Sequence, residues 1–264
     1  MNNRSSSDCR VCGGASAFAF TQKIFGAGVA YFDCRHCGYV QTQTPDWLDQ
    51  AYSVPIHELD TGIMWRNCQN ASRVVTTLAT LQLLHGRVLD NAGGYGILVR
   101  LLRDVGVEAH WTDKYCENVL SRGFEVDDEP YDLVTAFEVF EHLENPVEEL
   151  QRMLARSPHA LISTDLIRTP STPAPDWWYY GPEHGQHIGF FRTRTLFRMA
   201  KQLNIHCDTD GHSLHLFSRK PIPFWWRHLQ RVPKAAALIA RRRLRSKVWS
   251  DFETVRDRVR SMPK

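Results

Sequence analysis

Residues 88–96 constrain this chain more than any other stretch. Val88 and Leu89 form a short apolar run that ends on Asp90. Asn91, Ala92, Gly93, Gly94, Tyr95 and Gly96 follow, and Ile97, Leu98, Leu101 and Leu102 then change to helical spacing. The succession reads as strand, tight turn, helix. Small residues let a backbone turn sharply and approach a ligand at the N-terminus of the next helix, where unpaired N–H groups favour negative charge. An ordinary turn has the same composition, so the weight falls on the elements that follow.

Residues 107–113 read as a second strand ending in an acid, Asp113, placed where nucleotide-binding sheets put the carboxylate that takes ribose hydroxyls. Residues 114–120 are expected to form a short helix, 123–126 a brief third strand, and 127–130 an acidic turn. Residues 131–137 are a buried-strand pattern running into Glu138, Glu141 and His142, with a helix over 147–156 and a fifth strand over 159–164. A helix over 193–203 and a hairpin over 205–218, turning at Asp210, Gly211 and His212, close the pattern. Strand and helix alternate, which predicts an α/β, doubly wound, Rossmann-like sheet with its ligand at the carboxyl ends of the strands.

At 264 residues, 43% hydrophobic and 23% charged, the chain suits one catalytic domain with small additions. Its net charge of +3 is too small to argue for nucleic acid by itself. Residues 1–7 read as a polar leader without a signal-peptide pattern, and no apolar run is long enough to span a bilayer, so the expected location is cytoplasmic.

Cys9 and Cys12 form one Cys-x-x-Cys pair and Cys34 and Cys37 another, each followed by a glycine, Gly13 and Gly38. Between them, residues 17–20 and 29–33 read as short strands. This is a zinc-ribbon pattern, with four thiolates closing a structural Zn²⁺ site. Two disulfides or a redox motif is the competing reading, which a cytoplasmic location disfavours. Cys68, Cys116 and Cys207 lack such spacing.

With these motifs in order, the chain resembles the class I S-adenosylmethionine-dependent methyltransferases over residues 66–220. The loop looks like their Asp-x-Gly-x-Gly-x-Gly, with Ala92 at the usual first glycine, Asp113 matches the ribose acid, and residues 137–143 look like the fourth-strand motif. The resemblance implies S-adenosylmethionine as cofactor, held by Asp90, Ala92, Gly94, Tyr95, Gly96, Asp113, Lys114, Phe137 and Glu138. Ala92 is tolerable there unless the position needs a positive φ.

Residues 46–65 read as a connector in which Tyr52, His57 and Trp65 either touch substrate or pack between domains. A helix is expected over 66–84, stopped by His85 and Gly86. Residues 168–191 open with prolines at 170, 173 and 175, followed by Trp177, Trp178, Tyr179, Tyr180, His184 and His187. They form either an active-site rim or a hydrophobic plug. A four-cysteine module ahead of such a domain is similar to the bacterial sugar C-methyltransferases, which place a Glu-His pair shortly before Tyr-Phe. Gln186, His187, Phe190 and Phe191 match that segment, with Gln186 for the glutamate and Phe190 for the tyrosine. The resemblance implies His187 as general base, with His184 and His142 the next candidates and Glu138 and Glu141 as partners.

Residues 221–264 form a basic helical C-terminal tail, with Arg241, Arg242 and Arg243 at its centre. A solvated or packed helix is the default, and weak peripheral contact with an anionic membrane is the alternative. The division is therefore 1–45 zinc ribbon, 46–65 connector, 66–220 catalytic domain and 221–264 tail. The expected function is methyl transfer to a small molecule, a sugar or glycan precursor such as a nucleotide sugar. The alternative is an RNA-directed methyltransferase, or a non-catalytic nucleic-acid-binding module using the ribbon and tail.

Overall fold

The computed structural model describes residues 6–232 and 234–261. The chain divides into two compact units, Met1–His57 with Ala136–Pro221, and Glu58–Thr135 with Ile222–Lys264. The leader expected over 1–7 lies outside the described residues up to position 5, and Ser6 and Ser7 instead open a strand.

In the first unit, β1 (Ser6–Asp8), β2 (Ala15–Ile24), β3 (Ala27–Cys34) and β4 (Val40–Thr42) form an antiparallel sheet. Ile24 pairs with Ala27 across a two-residue loop, and Phe25 and Gly26 both have positive φ, as a tight hairpin that matches strand twist requires. After the short helix α1 (Leu48–Ala51), the chain enters the second unit.

There, α2 (Ile63–Thr80) buries Val74, Val75 and Leu78. It stops four residues before the expected end because Gln82 turns left-handed, at φ 60°, and the Leu83 N–H reaches back to the Leu78 carbonyl at 2.7 Å. Next come β5 (Arg87–Asn91), α3 (Ile97–Asp104), β6 (Glu108–Thr112) and β7 (Leu133–Phe137). β5 pairs in parallel with β6 and with the start of β7.

The helix expected over 114–120 does not form. Asp113 Oδ1 accepts the N–H groups of Tyr115 and Cys116 at 2.7 and 2.8 Å, while those of Val119 and Leu120 go to the Tyr95 carbonyl. With these donors drawn elsewhere, helical bonding has nothing to propagate. The third strand expected over 123–126 shrinks to a single parallel bridge between Trp111 and Glu125.

Back in the first unit, Phe140–His142 is a single 3₁₀ turn, followed by α4 (Pro146–Arg156), β8 (His159–Ser163), β9 (Gly189–Phe190), α5 (Thr193–Leu203), β10 (His206–Thr209) and β11 (Leu214–Ser218). β8 and β10 both pair antiparallel with β11, giving the antiparallel end expected of the hairpin. The larger sheet has six strands in the order β10-β11-β8-β7-β5-β6, a Rossmann-like arrangement.

The N-terminal sheet is not built from residues 1–45 alone. β9 pairs antiparallel with β4, Val40 opposite Phe190, and so completes a five-stranded sheet from sequence about 150 residues away. Arg192, nearly buried, pairs with Asp33 at 3.0 Å and donates to the Gly38 carbonyl at 2.6 Å. The Thr195 hydroxyl donates to the Cys37 carbonyl.

The second unit closes with α6 (Trp226–Leu229), α7 (Ala235–Arg243) and α8 (Val248–Ser261). Trp226 is fully buried and donates its indole N–H to Thr77 of α2 at 3.0 Å. Asp251 of α8 is buried and accepts a two-pronged bond from Arg103, both contacts at 2.8 Å. α6 and α8 therefore pack on the unit through Trp226 and Asp251. Among the described residues no helix is long and apolar enough to cross a membrane.

Candidate active site

The second unit builds its site from the ends of β5 and β6. Asp90 is buried, and its Oδ1 accepts the Thr135 hydroxyl at 2.8 Å. Asp113 Oδ2 accepts the Gly94 N–H at 2.9 Å, and the Gly93 N–H donates to the Thr112 carbonyl. The Trp111 indole donates to the Gly94 carbonyl at 2.8 Å. A methyl group on Gly93 would sit 2.7 Å from the Trp111 ring and 2.8 Å from Asp90, so only glycine lets the loop close here. Gly96 has φ 82°, and Ile97 begins the helix immediately after it. Asp113 thus staples the loop to the end of β6. Its carboxylate receives three backbone N–H bonds and has about four acceptor positions, which leaves capacity for a ligand hydroxyl.

Position 92 does need a positive φ: Ala92 stands at 60°. A Cβ in the left-handed region costs about 1 kcal/mol, so the departure from glycine is a strained one rather than a neutral one. Ala92→Gly is expected to raise the unfolding midpoint by about 2 °C, a gain of several tenths of a kcal/mol after glycine's extra chain entropy. A variant that melts below the wild type would show that the loop is not under strain.

Burial raises Asp90 to about 7, against the opposing Thr135 hydrogen bond, and the nearby Asp113 charge adds to the rise. The folded protein therefore holds a proton here that the unfolded chain releases above about pH 4. The stability tied to this proton is present in full below that pH and is lost as pH rises through 7. In urea titrations from pH 5 to 8 the free protein is expected to lose stability relative to Asp90→Asn, by about 1.4 kcal/mol per pH unit at most. Parallel curves for the two proteins would remove Asp90 as the cause.

The first unit holds a second constellation. Glu141 is completely buried, and Oε1 accepts the Tyr179 hydroxyl at 2.7 Å, while Oε2 has no hydrogen-bond partner. The Tyr179 hydroxyl is also met by the Asp165 N–H and by Thr164. His187 Nδ1 lies 2.6 Å from the Tyr179 carbonyl, which can only accept, so Nδ1 carries the proton and Nε2 the lone pair. His142 Nδ1 meets the Tyr52 hydroxyl at 3.1 Å. One donor atom from each of Glu141, His142 and His187 falls within 4.8 Å of the others. Burial pushes Glu141 up to about 8, helped by the Glu138 charge, and pushes His187 down to about 3 and His142 well below the ordinary imidazole range.

The structure reassigns several residues here. Gln186, matched by resemblance to an acid beside the base, instead donates to the carbonyls of Ala51 and Val54 and anchors the connector. The acid at the histidines is Glu141, which the sequence named as a candidate partner. His184 Nδ1 accepts the Gln186 N–H at 3.1 Å, and its ring stacks edge-on with His187 at 4.7 Å. Glu138 has φ 55°, and its backbone N–H and Oε1 both bond Ser163 of β8. Positive φ in a non-glycine residue is strain typical of functional turns. Of the aromatic segment, Tyr179, Tyr180 and Phe190 join Ile24, Val29 and Tyr31 in one core cluster. For these rings the hydrophobic-plug reading holds, and Trp178 stays exposed.

Cys9, Cys12, Cys34 and Cys37 converge as their spacing predicts, with Sγ–Sγ separations of 3.5 Å for Cys9–Cys37 and for Cys12–Cys34. All four are free thiols rather than disulfides. Thiolates at about 2.3 Å from one tetrahedral ion stand roughly 3.8 Å apart, so the set fits zinc.

A parallel sheet whose first strand enters a glycine loop, stapled by the acid that ends the next strand, defines a Rossmann-like cofactor-binding domain. The chain belongs to a family described as a methyltransferase domain, which matches residues 64–209. It is similar in fold to the mitomycin 7-O-methyltransferase MmcR, with a TM-score of 0.41 and 15% identity over 58% of this chain and 54% of that one. The magnesium protoporphyrin IX methyltransferase ChlM of Synechocystis PCC 6803, with bound SAH, gives 0.42 and 14% over 65% and 91%. The plantazolicin methyltransferase BpumL in complex with SAH gives 0.44 and 15% over 76% and 87%. The chain spans about half the length of the mitomycin enzyme. No curated protein matches it.

Proposed function

We propose that the protein transfers a methyl group from S-adenosylmethionine to a small molecule, a sugar or glycan precursor such as a nucleotide sugar. The observation that carries the donor half is the Asp113 carboxylate bonded to the loop at Gly94. In this reading Asp90, Ala92, Gly94, Tyr95, Gly96, Asp113, Lys114, Phe137 and Glu138 hold the donor. When bound, that cofactor supplies a methyl on a sulfonium, which needs little further activation. The chain's own task is to orient the acceptor, exclude water and remove a proton where the acceptor is a hydroxyl or a carbon acid.

His187 is the residue this reading assigns to take that proton at Nε2, since the Tyr179 carbonyl fixes its tautomer and leaves the lone pair on that nitrogen. His142 and His184 stand beside it, with ring centroids 4.8 and 4.7 Å away. Support for a sugar acceptor comes from the resemblance over residues 186–191 and from the four-cysteine module ahead of the domain. Titration calorimetry with S-adenosylmethionine should give a Kd in the micromolar range, and a mass-spectrometric screen of nucleotide sugars should show one product heavier by a methylene. A chain that binds no S-adenosylmethionine would overturn the reading.

The four cysteines hold a structural zinc ion in this reading. Its loss is expected to reach beyond residues 1–45, because β9 and Arg192 are built into the same sheet. Cys34→Ser should abolish zinc binding at the four-cysteine site and increase proteolysis at residues 168–191 as well as at the N-terminus. Wild-type resistance in that loop would separate the two.

A further inference from the structure

We propose that Glu141, His142 and His187 form a binding site for a divalent first-row transition ion, separate from the four-cysteine site. The inference rests on the methyl-transfer reading only for its consequence, not for its geometry.

Three observations carry it. The first is the donor set: one carboxylate and two imidazoles, with one donor atom of each within 4.8 Å of the others. Ligands about 2.1 Å from one tetrahedral ion stand roughly 3.4 Å apart, so the donors draw in by about 1.4 Å at most to complete the shell. This two-histidine, one-carboxylate set suits such ions and leaves further positions open.

The second is the state of Glu141. Its side chain is fully buried, one oxygen is held by Tyr179, and Oε2 has no partner. A buried carboxylate oxygen without a donor is costly, and here it shares its surroundings with a second acid, Glu138. A cation at the shared focus of the three donors gives that oxygen a partner.

The third is the outer layer of contacts. Metal-bound histidines characteristically use their second nitrogen on a carbonyl, carboxylate or hydroxyl that fixes tautomer and ring angle. His187 Nδ1 is bonded to the Tyr179 carbonyl, which leaves its Nε2 for the ion, and His142 Nδ1 is bonded to the Tyr52 hydroxyl. Tyr179 binds the carboxylate through its hydroxyl and His187 through its carbonyl, so one residue orients two of the three ligands. The His142 ring also meets the Gln186 carbonyl, a contact the ion replaces, and that oxygen is itself an acceptable ligand.

With the ion bound, His187 would serve as a ligand in place of the base of the proposed reaction, and the ion would supply Lewis acidity to an acceptor hydroxyl at an open position. The ion is neither oxidised nor reduced. Such a site favours an oxygen acceptor over a carbon one.

Cobalt(II) loading of the full-length protein tests this without donor or acceptor, so its outcome is independent of whether methyl transfer occurs. Two cobalt ions per chain are expected. One gives the intense thiolate charge-transfer band of the four-cysteine site, and the other only weak ligand-field bands. His187→Ala and Glu141→Gln should each weaken the second ion by about 100-fold or more and leave the thiolate band unchanged, which also reports that the variants fold. One ion per chain in the wild type, or a second ion retained by both variants, would overturn the assignment. In either case His187 would remain a candidate base.

Discussion

Asp113→Ala is expected to weaken S-adenosylmethionine binding by about 100-fold. The carboxylate does two things at once in this chain. It joins the glycine loop to the end of β6 through the Gly94 N–H, and it pins the segment after β6 through Tyr115 and Cys116. Its remaining acceptor capacity is what the proposed reading assigns to ribose hydroxyls. A hydrogen bond to a charged acceptor contributes about 1.5–3 kcal/mol, and 1.4 kcal/mol is tenfold in affinity, so losing the ribose contacts and the staple together accounts for about two decades. Asp113→Asn keeps one acceptor oxygen and should fall between the two. The measurement is calorimetric titration of the three proteins after circular dichroism has shown them equally folded. An alanine variant within threefold of the wild type would remove Asp113 from the donor site.

His187→Ala is expected to lower kcat by about 10³-fold on the identified acceptor while leaving the Kd for S-adenosylmethionine within twofold. General-base removal typically takes away 10²–10⁴-fold, and loss of a metal ligand falls in the same range, so the size of the effect does not distinguish base from ligand. The cobalt stoichiometry does. His184→Ala provides the contrast: its Nδ1 is occupied by the Gln186 N–H, and the loss there should stay below about tenfold. Equal losses for His184 and His187 would mean that the two rings serve packing alone.

Much of this architecture was legible along the chain because it depends on residues close in sequence. The apolar run at Val88 and Leu89 ends in small residues and helical spacing, and strand, loop and helix follow in that order. Two Cys-x-x-Cys pairs with a glycine after each fold into matching turns: Gly13 and Gly38 both adopt positive φ and return their N–H to the carbonyls of Cys9 and Cys34. The antiparallel close of the sheet at β10 and β11 follows from one hairpin.

What the pattern missed depended on partners distant in sequence. A helix was expected over 114–120 because its composition allows one, yet Asp113 and the Tyr95 carbonyl claim its N–H groups. The sequence named both Glu138 and Glu141 as partners of the histidines without choosing between them, and it is Glu141, 46 residues before His187, whose carboxylate lies among them. A Glu-His pair at the end of a strand, followed by a second histidine on a proline-rich return loop, was the available signal.

The sequence by itself determined the class of fold, the four-thiol cluster and the two acids that frame the loop, since strand period, turn chemistry and ligand spacing are local properties of a chain. Only the tertiary structure decided that Ala92 carries a positive φ, that β9 completes the N-terminal sheet, and that a buried, half-satisfied Glu141 stands beside two histidines. The physical reason is the same in each case. Backbone strain, sheet completion and the desolvation of a charge are set by what a residue is packed against, and that neighbour is chosen by the fold rather than by the adjoining sequence.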